Sequence, residues 1–179
     1  KLLHGEFTVY NLETECHTYI ANTCCVHNCF ECYERNSGQD MTEEVASAAL
    51  KYLFDQAFMS PKEAQVNVTL FGGEPLIRPD MCDYIIREGI RLGKEYKIKF
   101  SAGIITNGTI MSDEIELMLY RWKSQIPFSI QISIDGDKEA QDLYRVRKDG
   151  SSSFADVEKN VPIFRRIDPK LCLHGCINK

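Results

Sequence analysis

"VNVTLFGGEPLIRPDMCDYIIREGIRLG", residues 66–93, is one complete strand–turn–helix unit. Val66, Val68 and Leu70 alternate with Asn67 and Thr69, the period of two that marks a strand. The polar, glycine-rich "GGEP" follows at once, and Pro79 opens an amphipathic helix expected to close at Gly93. The same order recurs downstream. "IKFSAGIIT" (98–106) is a strand ending in "TNGT", and "SDEIELMLYRWK" is a helix with Ser112 as N-cap and acids in its first turn. "FSIQISID" (128–135) is a strand that runs into "SIDGD". Residues 137–145 and 154–166 have helical spacing, and "LCLHGCI" (171–177) is a further strand. Upstream, "TYIAN" (18–22) is extended and "MTEEVASAALKYLFDQAF" (41–58) is a helix behind Thr42.

Strands alternating with helices imply an α/β fold with a parallel sheet and βαβ crossovers. A doubly wound sheet and a barrel fragment both fit, and periodicity does not separate them. In either architecture the functional face lies at the carboxyl ends of the strands. "GGEP", "TNGT" and "SIDGD" would therefore meet on one face, joined by the cysteine-rich loop that follows the first strand.

The bulk composition is ordinary for a globular protein: 179 residues, 44% hydrophobic and 26% charged. A net charge of −5 argues against a broad nucleic-acid surface. No apolar run reaches the roughly 18–20 residues that span a bilayer. "KLLHGEFTVY" has neither the apolar core nor the cleavage site of a signal peptide, so a cytoplasmic location is expected.

The eight cysteines are unevenly placed, with Cys16, Cys24, Cys25, Cys29 and Cys32 inside 17 residues. Secreted scaffolds spread their cysteines along a short chain; a cluster without an export signal points to metal or redox chemistry. Cys25, Cys29 and Cys32 have the spacing Cys-x-x-x-Cys-x-x-Cys. Three thiolates so placed can hold an iron–sulfur cube and leave one iron open to a small molecule. Zinc on Cys29, Cys32, Cys172 and Cys176 is the arithmetic alternative, since thiolates suit both metals.

"CVHNCFECYE", "LFGGEPLI", "ITNGT", "ISIDGDKEAQDLYRVRKDGSSSF" and "VEKNV" stand in the order and spacing of radical SAM enzymes. The chain most resembles the group that includes anaerobic sulfatase-maturating enzymes and ribosomal peptide maturases, over roughly residues 18–177. The resemblance implies a partial (β/α) barrel truncated after about the fifth strand. It implies an amino-terminal lead-in over 1–17 and a radical SAM core over 18–179, with a carboxyl-terminal cysteine-rich domain absent from this chain. It also implies a 4Fe-4S cluster on Cys25, Cys29 and Cys32, and S-adenosyl-L-methionine bound to the open iron. Reductive cleavage to a 5′-deoxyadenosyl radical would then act on a peptide or protein, with flavodoxin or ferredoxin as electron donor. Nucleic acid and membrane are not among the expected partners.

By the same resemblance, Gly72, Gly73 and Glu74 match the motif that contacts the methionyl amino group, with the glycines allowing close backbone approach. Ser133 matches a cofactor contact, with Asp135 on the same strand face. Arg145 matches an arginine that pairs with the cofactor carboxylate, and Asn107 lies within reach. Tyr33 matches an aromatic of the group. Glu31 departs from it, because the family has an aromatic immediately before the last cluster cysteine. Other targets and classes stay open: a glycyl-radical activating enzyme, or a non-catalytic zinc or redox module.

Blander roles compete residue by residue. Asn107–Gly108 is also a turn signal, Asp135 a candidate cap of the next helix, and Arg147 a rival to Arg145. Cys82 is expected as a small buried hydrophobe. Cys172, His174 and Cys176 alternate on one strand face, and burial is the expected reason for the cysteines.

Overall fold

The computed structural model of the protein describes residues 20–21, 24–25, 41–59, 64–147 and 150–175, with 20–21, 24–25 and 144 by their backbone alone. The elements are β1 (Ile20–Ala21), β2 (Cys24–Cys25), α1 (Glu43–Met59), β3 (Gln65–Leu70), a 3-10 turn at Pro75–Ile77, α2 (Pro79–Tyr96), β4 (Lys99–Thr106), α3 (Asp113–Gln125), β5 (Phe128–Ser133), α4 (Lys138–Tyr144), α5 (Phe154–Ile167) and β6 (Cys172–His174).

β3, β4, β5 and β6 form one parallel sheet in chain order, with registers such as Val66↔Phe100, Ala102↔Phe128 and Ser133↔His174. Each strand neighbours its successor, so no reversal of order marks the sheet, and the helices share one side of it. A Cβ on Gly89 of α2 would lie 2.2 Å from Phe100 Cζ of β4. Trp122 of α3 stacks edge-on against Phe128 of β5, centroids 5.3 Å apart. The space around Gly108 is bounded by Ile132 of β5 and Val157 of α5. Phe100, Phe128 and Ile132 belong to one pleat face by register, so α2, α3 and α5 cover the same face. Sequential order and one-sided helices are the wall of a partial (β/α) barrel, whereas a doubly wound sheet has helices on both faces.

The opposite face is polar. Asn67 Nδ2 donates to Ser101 Oγ at 2.8 Å across β3 and β4, and Ser129 Oγ stands 2.6 Å from where a Cβ of Gly103 would be. Gln131 and Ser133 continue this face on β5, and Cys172 and His174 on β6.

Three expectations are corrected. Among the described residues, the extended stretch before the cysteines does not lead the parallel sheet: Ile20–Ala21 pairs antiparallel with Cys24–Cys25 as a separate ribbon, a local pairing that needs almost no loop closure. α2 runs past Gly93 to Tyr96 and is ended by Lys97 in the left-handed region, φ 57°. Gly93 sits in a tight contact with β4, since a Cβ there would approach Ile98 O to 3.1 Å and Phe100 Cβ to 3.2 Å. Cys172 is exposed, on a strand that pairs, among the described residues, with β5 alone; Cys176 lies outside the described residues.

The helix face carries the core. Phe54, Tyr96 and Phe100 form an aromatic cluster between α1, α2 and β4. Asp83 ties α2 to α3 by accepting from Trp122 Nε1 at 2.9 Å. At the amino-terminal edge, buried Asp168 takes Lys123 Nζ at 2.8 Å and the Ile130 N–H at 3.3 Å. Cys82 is buried as expected; its Sγ donates to Pro75 O at 3.3 Å and burial pushes its thiol pKa up to about 12.

The closeness of α2 to β4 has a measurable consequence. Gly89→Val gains only a few tenths of a kcal/mol of helix propensity but drives side-chain atoms into the Phe100 ring. Overpacking of this kind is expected to lower stability by about 1–3 kcal/mol, read from the urea midpoint at unchanged slope.

Candidate functional site

The carboxyl edge of the sheet is built around Glu74. The chain leaves β3 through Gly72, whose φ of +152° lies where side-chain-bearing residues rarely go. No atom lies within 4 Å of a Cβ at that position, so the backbone conformation, and not a close approach, requires the glycine. Glu74 then caps the 3-10 turn, its Oε1 accepting from Leu76 N–H at 3.0 Å. The same Oε1 accepts from Thr106 Oγ1 at 2.7 Å, and Oε2 accepts from Asn107 N–H at 2.7 Å. Burial pushes the Glu74 pKa up from the usual carboxylate value, opposed by these three hydrogen bonds.

The clamp continues into the next loop. Thr106 Oγ1 accepts from Gly108 N–H at 3.0 Å, and Gly108, φ +74°, has its carbonyl bound by Asn160 Nδ2 at 3.0 Å. Asn107 turns its Oδ1 to Thr109, accepting from N–H at 2.9 Å and Oγ1 at 2.7 Å. It is a turn residue, as the dipeptide suggested, and its Nδ2 is without a partner among the described residues.

Beyond β5, Ser133 is 6% exposed and its hydroxyl makes no hydrogen bond among the described residues. Asp135 does not cap α4; Asp137 does, accepting from Ala140 N–H at 3.0 Å. Asp135 faces Arg145, whose Nε lies 2.5 Å and Nη2 3.3 Å from its two oxygens. Arg147, the rival, is used by its own loop: Nη1 donates to Ser152 O at 2.5 Å, and Nη2 pairs with Asp156.

A cavity of about 260 Å³ opens at this edge, with Gly73, Asn107, Gln141, Arg145 and Arg147 in its walls. The structure thus brings Gly73, Asn107 and Arg145 to one space. The Glu74 carboxylate is turned into the loops beside it, and Ser133 and Asp135 do not form its surface. Cys29, Cys32 and Tyr33 lie outside the described residues, and Cys25 is placed by its backbone in β2, alongside β3. Among the described residues no group of three or more His, Cys, Asp or Glu is arranged to hold a metal ion, and no helix is long and apolar enough to cross a membrane. Thr106, Gln141 and Ser153 were not singled out by sequence. All three are buried; Thr106 ends β4 and Ser153 precedes α5, positions a sequence can flag, whereas Gln141 lies in the middle of α4 and carries no such signal.

The family model described as Radical SAM superfamily matches residues 19–175. A serine-type anaerobic sulfatase-maturating enzyme of Bacteroides thetaiotaomicron is 30% identical over 136 residues, which are 75% of this chain and 30% of that protein. Among solved structures, polyhistidine-tagged anSMEcpe with bound AdoMet superposes with a TM-score of 0.66 at 20% identity, covering 82% of this chain and 38% of that one. Native anSMEcpe with bound AdoMet and Cp18Cys peptide gives 0.65 at 21% identity, covering 87% and 40%. The chain therefore spans 30% to 40% of the length of these relatives. At such identities the structural likeness shows the fold.

The Glu74 clamp has two testable consequences. Glu74→Ala leaves the Asn107 N–H and the Thr106 hydroxyl without their acceptor and is expected to cost about 1–3 kcal/mol of stability. The raised pKa also sets a sign. A carboxyl that holds its proton more tightly when folded contributes most at low pH, and that contribution declines as pH climbs from 4.5 through the raised folded value. Unfolding free energies of wild type minus Glu74→Gln, followed upward from pH 4.5, should fall and then level; a rising difference would contradict the burial.

Proposed function

The chain belongs to the Radical SAM superfamily, and from that premise we propose that Cys25, Cys29 and Cys32 hold a 4Fe-4S cluster beside a cavity that takes S-adenosyl-L-methionine, in the service of modifying a peptide or protein. Together, when bound, cluster and cofactor supply hydrogen-atom abstraction initiated by one-electron reduction. A flavodoxin- or ferredoxin-type protein is the proposed electron donor, and the reducing cytoplasm, where thiolates stay available, the proposed location.

The observation that carries this reading is the donor character of the cavity wall. With Oδ1 committed to Thr109, Asn107 can offer only its amide hydrogens. Arg145 has Nε and Nη2 on Asp135, and its Nη1 has no partner among the described residues. Hydrogen-bond donors around a confined space suit a ligand with carboxylate and hydroxyl acceptors. Glu74 fits as well: a carboxylate has about four acceptor sites, and its three internal bonds leave one for an ammonium. The Ser133 hydroxyl is a further group with capacity to spare. Gly72 shapes the loop, and Gly73 brings backbone to the cavity without a side chain. Tyr33 is assigned to the cofactor by resemblance alone. The cluster's fit rests on the donor set, three thiolates in eight positions that leave a fourth coordination place open.

A peptide or protein substrate is supported by the sulfatase-maturating relative and by the peptide bound to its structural counterpart.

Anaerobic reconstitution with iron and sulfide tests the assignment. Wild type is expected to take up about four irons and turn brown. Cys25→Ala, Cys29→Ala and Cys32→Ala should each stay colourless, while Cys24→Ala should load normally. Iron retained by Cys25→Ala and lost by Cys24→Ala would shift the ligand register by one residue.

A further inference from the structure

Arg145 belongs to a closed polar circuit whose links no sequence motif shows. Its Nε and Nη2 hold the Asp135 carboxylate at 2.5 and 3.3 Å. The Asp135 N–H donates to Gln141 Oε1 at 2.9 Å. Gln141 Nε2 donates to Ser153 Oγ at 3.5 Å, and Ser153 Oγ donates back to the Arg145 carbonyl at 2.6 Å. Gln141 is 1% exposed, Ser153 5%, and the Asp135 side chain 7%. The circuit joins the end of β5, the middle and carboxyl end of α4 and the start of α5.

From this arrangement we infer that Asp135 and Gln141 are positioning residues that aim Arg145. Asp135 takes the Nε–Nη2 edge of the guanidinium, and the remaining nitrogen, Nη1, is left to meet the ligand carboxylate at the cavity. Gln141 fixes Asp135 through its backbone N–H and, through Ser153, braces the main chain of Arg145 itself. An arginine loses rotamer freedom when it binds; one already held by two neighbours has less to lose. The inference rests on the reading of Arg145 as the carboxylate contact.

The sign of one substitution separates aiming from mere proximity. A carboxylate that simply sat beside Arg145 would repel the ligand's carboxylate, so its removal would tighten the hold on that group. A carboxylate that aims Arg145 gives the opposite result. Equilibrium dialysis of cluster-loaded protein against S-adenosylmethionine and against decarboxylated S-adenosylmethionine reads both. Asp135→Asn is expected to weaken the first about tenfold and leave the second unchanged. Arg145→Met should do the same, and the double variant should be no weaker than Arg145→Met alone, because one residue acts through the other. Gln141→Met breaks the circuit without changing charge and should cost about threefold for S-adenosylmethionine only; it carries the test if Asp135→Asn does not fold. Tighter or unchanged binding by Asp135→Asn and Gln141→Met, equal loss for both ligands, or additive losses in the double variant would overturn the positioning role while the Arg145 reading stands. Unchanged affinity in Arg145→Met would overturn that reading itself.

Discussion

The carboxylate of Glu74 is the constraint on which the carboxyl edge depends. Loops after parallel strands are independent of one another by default, because each serves its own crossover. Here one acid, largely withdrawn from water, takes donors from its own turn and from the end of the neighbouring strand. A carboxylate in that environment is tolerated only when its oxygens are satisfied, so the two loops are held in one arrangement. Thr106 passes the constraint to Gly108, and Asn160 passes it on to α5. The loops beside the cavity are thus one connected network.

The sheet sets where that network stands. One face is apolar and roofed by α2, α3 and α5; the other bears Asn67, Ser101, Ser129, Gln131 and Ser133. Parallel sheets covered on both sides read as continuous apolar runs, and filled barrels carry bulky branched residues inside. The small polar side chains here belong to a wall whose inner side faces a polar space. The helix side supplies the core, with Phe54, Trp122, Phe128 and Phe164 among its buried rings. Its tightness is visible where Gly89 of α2 admits the Phe100 ring.

The two arginines after β5 divide their work by geometry. Arg147 closes the loop into α5 by binding the Ser152 carbonyl and pairing with Asp156. Arg145, two residues earlier, is buried enough to be held by Asp135 and still reaches the cavity. Swapping their roles would move the guanidinium to the outer loop. Asp137 performs the capping that sequence spacing also allowed to Asp135, which leaves Asp135 for Arg145.

Most element positions were legible because periodicity reports local burial, as in β3, where Val66 is buried between exposed Gln65 and Asn67. The Ser112 cap, the opening of α2 at Pro79 and the burial of Cys82 follow from neighbours within a few positions. Gly93 misled because a glycine read as a terminator sits in a tight contact with β4, a strand that begins after the helix has ended. Cys172 misled because burial of an edge strand depends on what lies beside it. The sequence by itself determined the α/β class, the order of the polar loops and, through its motifs, the family. Periodicity could not separate barrel wall from doubly wound sheet, because strand order is a property of pairing; the motif resemblance implied the partial barrel, and the sequential strand order bears it out. Only the tertiary structure decided the partners of the charged groups. Glu74 meets Thr106 and Asn107 across 32 and 33 positions of chain. Which donor a buried carboxylate takes is set by the sheet register that brings them together, and no local pattern carries that information.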